Sequence, residues 1–293
     1  MAHTTVLLHE AIAALTEERA AVVIDCTYGA GGHSQAVLAV LQADGTLLSL
    51  DADATAFVAT PATDPRHLTK VGNFRDIKAL ATEAGCAPAN YILADLGWRS
   101  EQFEAGNKGF SFKFDEPLLM TYGNPEDYVF TAYDVVNEWE EENLADIIYN
   151  YGEERAARSI AAAIVAARET GPIETATALA EIVEAVAGRW YKRSKLHAAT
   201  KTFQAIRIAV NDELGALATL LSDGYELLAP GGRLAIITFH SLEDRLVKQT
   251  FRTLAHDYDA IRITKKPITP TSSEIATNPR ARSAKLRILE KPL

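Results

Sequence analysis

Two rhythms of apolar and polar positions divide the chain. In its first hundred residues, short unbroken apolar runs alternate with segments of helical spacing. Residues 21–29 (AVVIDCTYG) predict a strand buried on both faces, and residues 33–42 (HSQAVLAVLQ) a helix. Residues 45–53 (GTLLSLDAD) predict a second strand, 74–85 (FRDIKALATEAG) a helix, and 91–98 (YILADLGW) a third strand. Strands separated by helices of this length are βαβ units of a parallel sheet. Such a sheet leaves its ligand crevice at the carboxyl ends of the strands.

Beyond residue 103 this rhythm stops. Residues 103–128 are rich in Gly, Pro and aromatics without a period and read as a long ordered loop. Helical spacing returns over 142–169, ending at Gly171-Pro172, and over 175–188, ending at Gly188. Residues 200–232 read as one long amphipathic helix or a helix pair. Apolar runs at 233–241 (RLAIITFHS) and 284–291 (AKLRILEK) restore strands. The expected organisation is an α/β domain of residues 1–104 and 201–293, interrupted by an all-helical substrate-recognition domain of residues 105–200. No internal repeat is visible.

Composition changes this picture little: 48% hydrophobic and 23% charged residues are ordinary for a globular chain. No apolar run is long enough to span a bilayer, and the first residues lack a secretory signal. Cys26 and Cys86 are too few for a disulfide framework or a closed zinc site, which fits a reducing, cytoplasmic setting. Charge matters more. The net charge is −10, which argues against a polyanionic partner until its distribution is read. Residues 134–154 hold eight acids and no base, whereas 185–211 hold six Lys/Arg (Arg189, Lys192, Arg193, Lys195, Lys201, Arg207) and no acid. Further basic clusters are Arg245, Lys248, Arg252, Arg262, Lys265, Lys266, and then Arg280, Arg282, Lys285, Arg287. A nucleic acid would meet these local surfaces rather than the average.

The candidate chemistry begins where the first strand runs into Asp25-x-Thr27-x-Gly29-x-Gly31-Gly32. The dinucleotide fingerprint G-x-G-x-x-G needs Gly where this chain has Ser34, which disfavours a dehydrogenase. The spacing suits the acid-x-Gly-x-Gly-x-Gly turn of class I S-adenosylmethionine-dependent methyltransferases, whose glycines let the backbone approach the cofactor. Asp51 ends the second strand 22 residues after Gly29, the distance at which an acid reaches two ribose hydroxyls. As the plainer alternative it is a helix cap, a task that better suits Asp53. The third strand ends in Asp95-Leu96-Gly97-Trp98. Methyltransferases acting on amino groups commonly carry an acid or amide, two prolines and an aromatic there, the first to accept hydrogen bonds from the target NH2 and the last to stack on its base; Asp95 and Trp98 keep the two ends, without the prolines.

Several longer blocks resemble one family. They are HTTVLLHEA (3–11), DCTYGAGGHS (25–34), DLGWRSEQF (95–103), GFSFKFDEPLLM (109–120), YGEERAARSIAAAIV (151–165), KTFQAIRIAVNDEL (201–214), LAPGGRLAIITFHSLEDRLVK (228–248) and NPRARSAKLR (278–287). Their order and content resemble the bacterial ribosomal RNA small-subunit methyltransferase H family, also called MraW. The resemblance implies a Rossmann-like, mostly parallel class I methyltransferase sheet with S-adenosylmethionine as donor. It implies N4-methylation of a cytidine in the decoding region of small-subunit ribosomal RNA. The implied partner is an assembled or nearly assembled small subunit, with no membrane and no metal, and a homodimer is admitted. Cofactor contacts are implied at Gly31, Gly32, His33, Asp51, Phe74, Asp95 and Gln102. Read from the residues alone, Phe74 is equally a core aromatic, Gln102 a loop glutamine, and His33 a capping or packing residue.

Asp95 and Trp98 are the expected catalytic pair. RNA contacts are expected at Arg99, Lys192, Arg193, Lys195, His240, Arg245, Arg280 and Arg282. Around His240, no G-x-S-x-G elbow supports a Ser241 hydrolase, and Ser241 with Asp244 reads as a near capping box. Arg280 and Arg282 read as a turn presenting two guanidiniums to phosphate. The chain departs from the family at Leu119 and Thr121, where an Asp and an Arg are usual, and at Trp98 and Arg99. Two rivals therefore stay open: a non-catalytic assembly factor that binds cofactor and ribosomal RNA, and an amino-methyltransferase of another nucleic acid.

Overall fold

The structure, a computed structural model, describes residues 5–15, 21–97, 107–194 and 196–293. Trp98, Arg99, Gln102 and Lys195 lie outside them. The chain divides into two compact units, Met1–Trp98 with Leu214–Leu293, and Arg99–Glu213.

In the first unit, α1 (Leu8–Ala13) precedes β1 (Val22–Asp25), α2 (Gly32–Val40), β2 (Thr46–Asp51), α3 (Thr55–Ala59), β3 (His67–Val71), α4 (Ile77–Glu83) and β4 (Ala89–Asp95). The strands lie where unbroken apolar runs put them, because both sheet faces are covered. Neighbours on a strand point to opposite faces. Ile24, Leu48 and Ile92 pack into one core, whereas Val23, Leu47, Tyr91 and Leu93 pack into the other. After the second unit the chain returns with β5 (Leu228–Thr238), α11 (Ser241–Asp257), β6 (Ile261–Arg262), α12 (Ser272–Thr277) and β7 (Lys285–Glu290). Among the described residues the seven strands run β3-β2-β1-β4-β5-β7-β6. β1 to β5 are parallel, β7 is antiparallel to β5, and β6 is antiparallel to β7. This is the class I methyltransferase arrangement. Strand order reverses at β1, flanked by β2 and β4, so Asp25, Asp51 and Asp95 end three neighbouring strands at the switch point.

In the second unit, residues 107–131 are irregular apart from a 3-10 turn at Pro125–Asp127, and α5 (Ala132–Glu138), α6 (Glu141–Asn150), α7 (Ala157–Arg168), α8 (Ala176–Tyr191) and α9 (Thr200–Asn211) follow. These helices share a core of Leu144, Ile148, Ile160, Ile164, Leu179, Val183, Phe203 and Ile206. α9, assigned with the sheet on sequence grounds, buries Phe203, Ala205 and Ile206 in this helical core, so the helical unit extends to Glu213 rather than to 200. α9 and α10 (Glu213–Leu227) are a pair broken at Asp212, whose left-handed φ of 44° ends α9.

Two helix limits differ from the sequence reading. The expected helix over 142–169 breaks at Gly152, where an added Cβ would lie 2.6 Å from the carbonyl oxygens of Ile148 and Lys201. Gly188, read as a stop, sits inside α8, which runs on to Tyr191. Because Gly152 faces backbone rather than movable side chains, Gly152→Ala is expected to destabilise the protein by about 1–3 kcal/mol. Thermal unfolding followed by circular dichroism measures this. An unchanged Tm would mean that the break has room to spare.

Candidate functional site

The glycine turn is built by the residues around it. Gly29 and Gly31 adopt left-handed φ values of 57° and 78° that a Cβ would strain. Gly32 opens α2 with Thr5 against it, where a Cβ would lie 1.9 Å from Thr5 Oγ1, so the N-terminal block packs onto the cofactor turn. Thr27, in the first glycine position, accepts a hydrogen bond from the Asp95 backbone N–H at 2.7 Å and ties the β1 turn to the end of β4. Ser34 has its own task. Its hydroxyl donates to Asp25 Oδ2 at 2.6 Å and lies 2.7 Å from Ser49 Oγ, which in turn lies 2.7 Å from His67 Nε2. A glycine at position 34 would leave this buried chain of polar groups broken. Burial raises the Asp25 pKa, partly offset by His33, by the Ser34 hydroxyl and by the Thr27 N–H. Sequence reading did not assign Ser34, Ser49 and His67 a role; the only signal was a serine where a dinucleotide fold requires glycine.

Asp51 is held ready at the end of β2. Its Oδ2 accepts from Gly29 N–H and its Oδ1 from Asp53 N–H, both at 2.8 Å. Asp53 instead binds Thr55 through both the backbone N–H and the hydroxyl, the local turn task expected of it. Phe74 opens a short 3-10 turn after β3 and is half-buried, packed against the sheet core.

His33 does not cap its helix. Its side chain is buried, and its Nε2 lies 3.5 Å from Asp95 Oδ2 with no hydrogen-bond partner on either ring nitrogen. Asp95 Oδ1 is likewise buried and without a partner. At 3.5 Å the pair is an ion pair rather than a good hydrogen bond. Burial disfavours the imidazolium, but the Asp95 carboxylate, helped by the charge of Asp25, outweighs it and raises the His33 pKa. A raised folded-state pKa gives stability that is complete below the unfolded value of about 6.5 and is lost as pH rises through the folded value. Asp95→Asn is therefore expected to lower the His33 pKa, as read from the pH titration of its imidazole Cε1 proton by NMR. An unmoved titration would mean that the two groups do not interact.

These groups fit S-adenosylmethionine. Asp51 is a carboxylate fixed by two backbone N–H groups at the carboxyl end of β2, the position from which an acid reaches ribose hydroxyls in nucleotide-binding α/β sheets. Buried polar atoms without a partner, which proteins rarely leave, meet beside it: both ring nitrogens of His33 and Asp95 Oδ1.

The expected RNA-binding residues fare differently. Lys192 and Arg193 are exposed just beyond α8 in the helical unit. Arg245, Arg280 and Arg282 are exposed in the sheet unit, the last two on a 3-10 turn over Pro279–Ser283. His240 is instead the N-cap of α11: its Nδ1 accepts from Glu243 N–H at 3.4 Å, while Glu243 Oε2 accepts from the N–H groups of Phe239 and His240. The capping box is thus His240 with Glu243, one residue earlier than Ser241 with Asp244. Asp244 holds Lys285 at 3.0 Å and Arg287 at 2.7 Å, so half of the last basic cluster is spent inside the fold.

The departure at Leu119 and Thr121 also acquires a setting. Thr121 is fully buried, and its hydroxyl donates to the Gly123 carbonyl at 3.3 Å. Lys108 Nζ donates to the carbonyls of Thr121, Tyr122 and Gly123, and Asn211 clamps the Met120 carbonyl and the Tyr122 N–H. Position 121 therefore faces the interior of the helical unit.

Residues 1–292 match the MraW methylase family. The ribosomal RNA small subunit methyltransferase H of Limosilactobacillus fermentum is 44% identical, over 99% of this chain and 98% of its own length. Its counterpart in Thermomicrobium roseum is 43% identical, over 99% of this chain and 93% of its own. Among solved structures, an rRNA methylase from Streptococcus thermophilus aligns over 100% of both chains at 12% identity, with a TM-score of 0.42.

Proposed function

This chain belongs to the MraW methylase family, and on that premise we propose that it methylates N4 of a cytidine in the decoding region of small-subunit ribosomal RNA. S-adenosylmethionine is the donor, supplying when bound a methyl group on a positively charged sulfur. Relatives at 43–44% identity that carry the name of a small-subunit ribosomal RNA methyltransferase support the RNA assignment. For the target atom, the observation that carries the reading is Asp95 Oδ1, a buried acceptor with no partner at the end of β4.

The chemistry sets what the protein must do. The N4 lone pair of cytosine is delocalised into the ring, so the amine attacks poorly until its protons are held. Asp95 Oδ1 accepts one N–H of the amine and takes its proton as the new N–C bond forms. His33 lies against Oδ2 and keeps Oδ1 as the free acceptor. Trp98 stacks on the base, and Arg99 takes an anionic contact beside it. Asp51 holds the ribose hydroxyls, Phe74 covers the adenine, and Gln102 meets the polar end of the cofactor. Alignment of the reactants, more than strong base catalysis, supplies the acceleration. Lys192, Arg193, Lys195, Arg245, Arg280 and Arg282 bind RNA phosphate.

No helix among the described residues is long and apolar enough to cross a membrane, and we place the protein in the cytoplasm with its substrate, an assembled or nearly assembled small subunit. Incubating the protein with methyl-labelled S-adenosylmethionine and small subunits from cells lacking the gene tests the reading. Label is expected in N4-methylcytidine after nucleoside digestion. Label in another nucleoside would contradict the target atom, and no label would favour the non-catalytic assembly factor.

A further inference from the structure

The C-terminal end of α8 carries a feature that the reading above leaves unused. Trp190 is 53% exposed, although an indole is among the side chains most worth burying. The Arg189 guanidinium lies 4.3 Å from the centre of its ring. Val186, Arg189 and Trp190 fall at the spacing of one face of α8, and Lys192 and Arg193 follow directly beyond its end. Lys192 and Arg193 are exposed and form no ion pair among the described residues, whereas the acid nearest in sequence, Glu184, lies 3.7 Å from His197. Tyr191, between Trp190 and Lys192, points the other way, its hydroxyl donating to Glu154 in the helical unit. The result is one exposed aromatic plane, braced by a guanidinium and followed by two uncommitted cations, on a chain whose net charge is −10.

We infer that Trp190, braced by Arg189, is a stacking platform for an unpaired base of single-stranded RNA, with Lys192 and Arg193 on the flanking phosphates. The inference rests on the proposed action on ribosomal RNA and adds, in the helical unit, a base contact to the one proposed for Trp98. Charge selects the occupant: exposed cations without acids favour a polyanion, and an open indole face adds a flat apolar partner, a combination that a nucleotide chain meets with a phosphate and a base in each unit. Stacking of this kind tolerates any base, so it strengthens grip on an unpaired segment without choosing its sequence.

Salt separates stacking from charge. Phosphate contacts release counterions and set the slope of log affinity against log salt, whereas stacking leaves that slope alone. The probe is a fluorescent single-stranded oligoribonucleotide of mixed sequence, with anionic lipid vesicles as a second arm. Trp190→Ala is expected to weaken RNA binding about tenfold at every salt concentration with the slope unchanged, and Trp190→Phe to restore most of it. Replacing Lys192 and Arg193 by Ala is expected to flatten the slope by about one to two. Wild-type affinity in Trp190→Ala overturns the inference. So does a loss that changes the slope, or a loss confined to vesicles. S-adenosylhomocysteine affinity checks that each variant is folded. Methyl labelling of small subunits by the wild-type protein reads the function itself, so a failed platform and a failed function give different results.

Discussion

Asp95→Ala is expected to slow methyl transfer by about two orders of magnitude or more when cofactor is saturating. The reason is the state of the carboxylate in the fold. Oδ2 faces His33 at 3.5 Å, and Oδ1 is buried without a partner. Alanine removes both the acceptor for the amine proton and the group that receives it, and positioned proton acceptors are typically worth about 10²–10⁴ in rate. Asn, which keeps an acceptor oxygen but no charge, is expected to fall between wild type and Ala. Single-turnover rates with labelled cofactor and small subunits measure this free of product release. A wild-type rate in Asp95→Ala would remove Asp95 from the chemistry and leave the reading without its acceptor.

Asp51→Ala is expected to weaken S-adenosylhomocysteine binding by about tenfold to a hundredfold, the equivalent of roughly 1.5–3 kcal/mol for hydrogen bonds to a charged group. Gly29 N–H and Asp53 N–H fix both carboxylate oxygens before any ligand arrives, so little ordering is left for binding to cost. The same two bonds carry a structural task, and for that reason Asp51→Asn is the control: one amide oxygen can still accept from Gly29. Calorimetry on all three proteins reads the difference. Equal affinities would take Asp51 out of the cofactor site.

The central strands and their chemistry were legible in the sequence because a parallel strand covered on both faces has an unmistakable unbroken apolar run. Val22–Asp25, Thr46–Asp51 and Ala89–Asp95 each end in the acid that the sequence singled out. The short edge strand His67–Val71 offers no such run, since only two of its five positions are buried or half-buried and the rest are exposed. Helix ends were harder. Gly152 breaks a helix because two carbonyls of the packed helices crowd it, while Gly188 breaks none because only the Glu184 side chain approaches; that difference is tertiary. The His240 cap escaped for a similar reason: Glu243 is nearly fully buried and bonds two N–H groups, a preference that burial imposes and Ser241 does not announce. His33 was read as a capping or packing residue, and only the fold brings it to Asp95, 62 positions away in the chain.

The central claim is a methyl group on N4 of one cytidine in the decoding region of the small subunit. Mass spectrometry of nuclease fragments of small-subunit ribosomal RNA, from cells with and without the gene, tests it most directly. The account predicts one fragment, from the decoding region, that is lighter by a single methyl when the gene is absent and carries N4-methylcytidine when it is present. Identical fragments in the two strains, together with unimpaired binding of cofactor and subunits by the purified protein, would contradict it and leave the non-catalytic assembly factor standing.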